Sequence, residues 1–286
     1  MEARRCFRSS RRGMTLLEVL VVIAITGLLL ALLLGAVQRA RSASQRIDCA
    51  SRLRQVWLGV DLYEETYGNF PTQFLHPMQP FIRPYLEDHG DGNFMPFLRC
   101  PADPYATGDA GMSRCSYLPC DGVRGDLPNM QGIVGSHEGD FPVRLARDVV
   151  DGLSQTAGVA EKLAVPEDFQ SGNVPEELWI RLTRRTAVHH TSMEEFADEC
   201  QFRAQQPNAQ GVPVVLYNHI MTPNGNSCGN GFQEGYASAF TASSLHGGGV
   251  NVSMADGAVR FVSDGIDRKT WWALGTINGN EVLGDF

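Results

Sequence analysis

From Val19 to Val37 the chain runs 19 residues without a charge, nearly all of them Leu, Val, Ile or Ala. About 20 apolar residues at roughly 1.5 Å rise cross a hydrocarbon layer of about 30 Å, so this run is long enough to span a bilayer. A core helix of a soluble domain is seldom apolar on every side over such a length. A cleaved secretory signal is the alternative, but its apolar region is usually about 7–15 residues long and ends at small residues, of which Ala36 gives only a weak version. Beyond the run the pattern changes. Leu53, Val56, Trp57, Val60 and Tyr67 keep i, i+3, i+4, i+7 spacing, with Arg, Asp and Glu on the other face. No proline occurs before Pro71, and Tyr67-Gly68-Asn69-Phe70-Pro71 supplies the stop. The pattern predicts one helix over 14–67, with a transmembrane span at 14–37 and an amphipathic second half laid against the body.

Residues 68–286 carry short apolar segments separated by Gly, Pro, Asn and Asp, which reads as strands joined by extensive loops. The charge-mixed stretch 161–204 is expected to hold one or two short helices. No period of 20–50 residues repeats, which argues against a solenoid or propeller. The clearest local signal lies at 250–262. Val250, Val252 and Met254 alternate with Asn251 and Ser253, and Asp256-Gly257 precedes Val259 and Phe261. A two-residue turn at Asp256-Gly257 sets Met254 opposite Val259 and Val252 opposite Phe261, with Asn251, Ser253 and Arg260 on the other face. The expected element is a half-buried antiparallel hairpin.

Charge sharpens this division. The whole chain has 286 residues, 24 Lys+Arg and 32 Asp+Glu, for a formal charge of −8. Five of the arginines (Arg4, Arg5, Arg8, Arg11 and Arg12) stand in the first 13 residues, so the rest is more acidic than the average suggests. Such a body is no nucleic-acid binder, because phosphate neutralisation needs clustered Lys/Arg. Arg39, Arg41, Arg46, Arg52 and Arg54 follow the span, so the positive-inside count is a tie and leaves orientation open.

The junction Gly13-Met14-Thr15-Leu16-Leu17-Glu18-Val19 is more specific. A basic leader ends in glycine, an apolar helix begins at once, and one carboxylate stands at its fifth residue. This resembles the processing site of type IV prepilins and pseudopilins, although Met14 stands where that family more often has Phe. The resemblance implies a cut between Gly13 and Met14 by a prepilin peptidase on the cytoplasmic side, and methylation of the new N-terminus. It also implies a single-pass inner-membrane anchor with an extracytoplasmic, periplasmic body. A lone ionised carboxylate in hydrocarbon costs about 2.5–3.5 kcal/mol on insertion scales unless it is paired. The family assigns Glu18 the role of pairing with the freed amine of a neighbouring subunit; the other reading is that it reaches the headgroups from the helix start. Gly27, Ala31 and Gly35 recur at four-residue spacing, a pattern that lets helices approach closely in lipid, although such glycines are also common in membrane helices generally.

A second resemblance runs in patches through the body. Ser244-Leu245-His246-Gly247-Gly248-Gly249 followed by Asp256-Gly257 looks like the C-terminal H-x9-DG signature of a pilin-like family of unknown function. Cys49 with Leu53, Cys100-Pro101-Ala102-Asp103, Asp151–Thr156 with Glu161, Tyr217-Asn218-His219, Pro223-Asn224, Cys228 and Gly279–Val282 fit it as well. Segments 121–147 and 162–212 match poorly. The implied architecture is α+β and type IV pilin-like: a long N-terminal helix packed on an antiparallel sheet. It is divided into a leader at 1–13, the helix at 14–67 and a globular domain at 68–286.

Candidate chemistry is sparse. Cys6 lies in the leader, and Cys49, Cys100, Cys115, Cys120, Cys200 and Cys228 remain, which reads as up to three disulfides in any of 15 connectivities, with partly free thiols as the alternative. There is no C-x-x-C, and the C-x4-C of Cys115 and Cys120 lacks a second pair, so no thiolate metal site is expected. Gly225-Asn226-Ser227-Cys228-Gly229 matches G-x-S-x-G, but Pro223 before it and Gly229-Asn230-Gly231 after it are poor material for a strand–turn–helix elbow. No His lies in an H-E-x-x-H, the pair His189-His190 included. His246 is expected to hydrogen-bond near the hairpin base, with Asp267 as a candidate partner. The acidic loop Asp88–Asn93 offers calcium ligands without EF-hand spacing, and Arg124-Gly125-Asp126 reads as chance. No cofactor is predicted. The expected role is a structural subunit, not an enzyme, that joins other pilin-like subunits as a homo- or hetero-oligomer. The alternative is a membrane-tethered binding module that does not polymerise.

Overall fold

The computed structural model describes residues 15–71, 79–86, 96–106, 115–123, 131–133, 143–164, 184–185, 193–203, 216–229 and 238–281. Gly13, Met14, the acidic loop at 88–93, the tripeptide at 124–126 and His189-His190 lie outside the described residues. Helix α1 spans Leu16–Tyr67. It ends where Gly68 turns into the left-handed region at φ +73°, a conformation glycine adopts without steric cost. The chain divides into two compact units, Met1–Ser44 and Gln45–Phe286.

In the first unit the described residues form the N-terminal part of α1. Its large apolar side chains, from Leu16 to Val37, are all exposed, and one apolar window is long enough to cross a membrane. Polar backbone groups in such a segment are satisfied within the helix itself, which is the condition for entering lipid.

The second unit is built on a four-stranded antiparallel sheet in the order β1-β2-β6-β7, comprising β1 (Tyr117–Pro119), β2 (Ala157–Glu161), β6 (Gly249–Met254) and β7 (Val259–Ser263). The rest of α1 packs in this unit through Cys49, Leu53, Val56, Trp57 and Val60, each no more than 1% exposed. Tyr67, which the spacing adds to that stripe, is instead 62% exposed and rests on Tyr63, with ring centroids 4.6 Å apart. Trp57 packs on β2 at Gly158, where a Cβ would overlap its ring. The β2/β6 register shifts between Ala157 and Val159 at the same place. Close approach of an indole to the backbone therefore explains both the glycine and the irregularity.

The hairpin exists with a different register. Ser253 pairs with Val259, Val252 with Arg260 and Val250 with Val262, one residue away from the expected pairing. The loop has three residues, Ala255-Asp256-Gly257: the Met254 N–H donates to the Ala258 carbonyl and Gly257 sits at φ +81°. This is the three-residue hairpin in which glycine forms the bulge. Nor is β6 half-buried: all six of its residues are buried, Val250, Val252 and Met254 in the main apolar core and Asn251 against Glu161. The edge strand β7 carries the exposed positions.

A smaller sheet has the order β3-β4-β5, with β3 (Arg184–Arg185) parallel to β4 (Cys228–Gly229) and β5 (Ser238–Ala239) antiparallel to it. Beside short helix α2 (Gln79–Ile82), the described residues hold two further α-helices, α3 (Met193–Arg203) and α4 (Arg268–Gly275). Helix α3 fulfils the short helix expected within 161–204. It joins Met193, Phe196, Ala197 and Cys200 to Ile220, Met221, Cys228 and Ala239 in a second apolar cluster. Helix α4 starts at Asp267, whose carboxylate accepts from the Thr270 N–H at 3.0 Å, and it buries Trp271 and Leu274. The Trp271 and Trp272 indole N–H groups donate to the carbonyls of Met221 and Ile220.

Candidate functional site

The start of α1 is closed by its own side chains. The Thr15 N–H and hydroxyl both donate to the Glu18 carboxylate, at 2.7 and 2.9 Å, while the Thr15 oxygen accepts from the Glu18 N–H at 3.3 Å. This reciprocal pair is a capping box, which satisfies donors that have no partner inside the helix. Thr15 is the residue missed in the sequence, although T-x-x-E before an apolar run is its signal. Further along, the Thr26 hydroxyl donates to the Val22 carbonyl at 2.8 Å and so hides its polarity within the helix. Gly27 and Gly35 have open space where a Cβ would stand. The face that Gly27, Ala31 and Gly35 share is exposed.

In the body, patches far apart in sequence converge. Cys49 of α1 is joined to Cys100 by a disulfide that spans 51 residues. The Tyr117 hydroxyl donates to the Cys49 carbonyl at 3.1 Å, and Arg52 donates to the Arg99 carbonyl at 3.0 Å. Asp103, three residues after Cys100, is almost fully buried and accepts from the Ser116 hydroxyl and the Ala164 and Tyr105 N–H groups. Burial nevertheless pushes its carboxyl above the usual range, with the hydrogen bonds opposing. Nearby Lys162 is buried and donates to the Thr241 carbonyl at 3.0 Å; desolvation pulls its pKa down to about 7, against the Asp103 charge.

His246 belongs to this convergence. Its partner is not Asp267, which caps α4, but Glu161 at the end of β2: Nε2 lies 3.2 Å from Oε1 and 3.4 Å from Cys100 Sγ. Glu161 is held from behind by Asn251, whose backbone and side-chain N–H groups donate at 2.8 and 2.9 Å. The His246 loop is tied down by Ser244, which donates to the Gly249 carbonyl, and by Asn224, which accepts from the Ser244 N–H. Asp256 and Gly257 do not join this site. They sit in the hairpin loop at the far end of β6, about 20 Å away for six extended residues, and Asp256 accepts from the Ala258 N–H. The H-x9-DG spacing is thus the length of one strand with its two ends fixed.

Two other patches are structural locks. The Asp151 carboxylate accepts from the Gly279 and Asn280 N–H groups at 2.7 and 2.8 Å and so clamps the C-terminal segment. His219 is fully buried and stacks on Trp271 at 3.8 Å. Its Nδ1–H donates to the Trp271 carbonyl at 2.6 Å and Nε2 accepts from the Tyr217 hydroxyl at 3.1 Å, which fixes the neutral tautomer. Burial lowers its pKa to about 3.

The remaining cysteines divide. Cys200 and Cys228 form a second disulfide, from α3 to β4. Cys115 and Cys120 carry no disulfide and are buried, and desolvation pushes the Cys120 thiol up to about 12. Ser227 is fully buried, and its oxygen accepts from the Thr241 N–H. The segment at 225–229 passes from loop into β4 with no helix after Ser227 among the described residues, so no nucleophile elbow forms there.

Residues 8–34 match the prokaryotic N-terminal methylation motif. With the exposed apolar helix that follows, this defines a prepilin-type chain, a substrate of a prepilin peptidase that associates with the membrane through one span. Residues 75–269 match the family described as protein of unknown function (DUF1559), and the chain belongs to that family. Comparison with curated proteins and with solved structures returned no match.

Proposed function

We propose that this chain is a structural subunit of a type IV pilus or type II secretion-like pseudopilus. It is cut between Gly13 and Met14, methylated at Met14, and assembled through its apolar helix with other pilin-like subunits. The observation that carries the reading is the bare rod: a helix exposed and apolar on all sides, with one carboxylate at its start. In a lone subunit Thr15 occupies that carboxylate. In a filament the amine of a neighbour's Met14 replaces the hydroxyl, exchanging a neutral donor on the carboxylate for a cationic one and so forming an ion pair. Two disulfides in the second unit support a body held outside the cytoplasm, where such bonds persist. The role is non-catalytic.

Glu18→Ala tests this reading. Membrane insertion stays intact, and incorporation into sheared filaments, measured by immunoblot against the wild-type chain, drops at least tenfold. Thr15→Val, which removes only the cap, keeps incorporation within about twofold. Unchanged incorporation of Glu18→Ala would overturn the assembly role.

A further inference from the structure

We infer that Cys49, Cys100, Glu161 and His246 form a redox-gated site for a thiophilic divalent cation, zinc by its donor set, closed while the two sulfurs are joined and open once they are reduced. One donor atom from each residue lies within 4.8 Å of all the others, and all four residues are buried. They come from four separate segments: α1, the loop at Cys100, the end of β2 and the loop before β6.

The geometry is that of a shared centre and not of a proton relay. In a relay, histidine uses one ring nitrogen for the thiol and the other for the carboxylate. Here Cys100 Sγ and Glu161 Oε1 both face Nε2, at 3.4 and 3.2 Å. One nitrogen carries one proton or one lone pair, so it serves only one of them as hydrogen-bond partner. A cation placed between them serves all four donors. Tetrahedral zinc with ligands at roughly 2.0–2.3 Å sets donor–donor separations of roughly 3.3–3.8 Å, so the set needs to contract by about 1 Å at most, apart from the sulfurs, which separate. Two thiolates, an imidazole and a carboxylate match zinc in softness. Asn251 already supplies the outer hydrogen bonds that orient a ligating carboxylate. A small cavity lined by Cys100, Asp103, Glu161, Lys162 and Ser244 adjoins the sulfur.

The chemistry balances with a dithiol reductant. The dithiol gives two electrons and two protons to the Cys49–Cys100 bond and becomes a disulfide itself. The cation then displaces both thiol protons and binds two thiolates. Reoxidation by a disulfide donor expels the metal and restores the staple.

The test uses the full chain in detergent micelles, reduced anaerobically with a phosphine and titrated with cobalt(II) as a coloured stand-in for zinc. The expected result is one equivalent bound per chain, with tetrahedral visible bands and a thiolate charge-transfer band that are absent before reduction and bleached by zinc. Bound zinc should slow alkylation of Cys49 and Cys100 at least tenfold, read by mass spectrometry. His246→Gln, which keeps every cysteine, should weaken cobalt binding at least tenfold, whereas Cys200→Ser/Cys228→Ser and Cys115→Ser/Cys120→Ser should leave the bands in place. Absence of the bands after reduction, including through unfolding of the reduced chain, would overturn the site. So would unchanged affinity in His246→Gln.

Discussion

Helix α1 meets two different environments along its length. Between Leu16 and Val37 its leucines, isoleucines and valines are 41–82% exposed. Between Cys49 and Val60 one stripe of the same helix falls to 0–1%. The backbone geometry is alike in both parts; the difference lies in the arrangement of apolar side chains. Apolar residues all round leave no polar face for water and call for a lipid solvent or other helices. A single stripe, with Arg, Asp and Glu opposite, calls for a folded partner on one side only. One rise per residue thus serves two solvents, and the sequence marks the change by where charges begin.

The contrast can be broken by substitution. Trp57→Ala removes the largest side chain of the buried stripe and leaves a hole over Gly158, so the body loses about 3–5 kcal/mol, read as lower thermal unfolding of the full chain in micelles. Leu29→Ala, in the exposed part, leaves the same transition unmoved.

A second effect, spread over a range of pH, follows from His219. Its folded pKa lies near 3, below the unfolded value near 6.5, so the unfolded chain binds the extra proton in between. Stability therefore falls as pH drops through that window, by about 1.4 kcal/mol per pH unit from this group. His219→Gln should flatten that acid limb in denaturant titrations at several pH values, whatever it does to stability at neutral pH.

The smallest effect sits on the helix rim. Burial raises the Asp61 pKa to about 6, with Glu64 and Asp256 adding to it. The folded state then holds the proton more tightly than the unfolded one, so this group stabilises below its unfolded pKa of 3.8 and the gain is lost as pH rises through about 6. Asp61→Asn should raise the melting temperature slightly at pH 7 and have no effect at pH 3, with solvent screening keeping the gain under about 1 kcal/mol.

Much of this was legible in the residues because the strongest signals are local. The span, the buried stripe, the glycine stop and the Asp256-Gly257 loop all lie within a few turns or one hairpin. The hairpin register slipped because β6 is buried on both faces, so Val250, Val252 and Met254 do not stand out against Asn251 and Ser253. A pattern with no solvent face cannot fix which residues oppose one another. Long-range pairing was the harder part. His246 reaches Glu161 across 85 positions of chain, and Asp267, nearer in sequence, is spent on capping α4. Six cysteines allowed up to three pairings; two form, Cys49–Cys100 and Cys200–Cys228, and spacing alone marked neither. The capping box at Thr15 was legible too, in the T-x-x-E that opens the apolar run.

Processing of this prepilin-type chain is read from the intact mass of the mature protein isolated from membranes. The expected mass is that of a chain that begins at Met14 and carries one N-terminal methyl group. A chain that retains the leader, or one that begins at residue 37 or later, would contradict it.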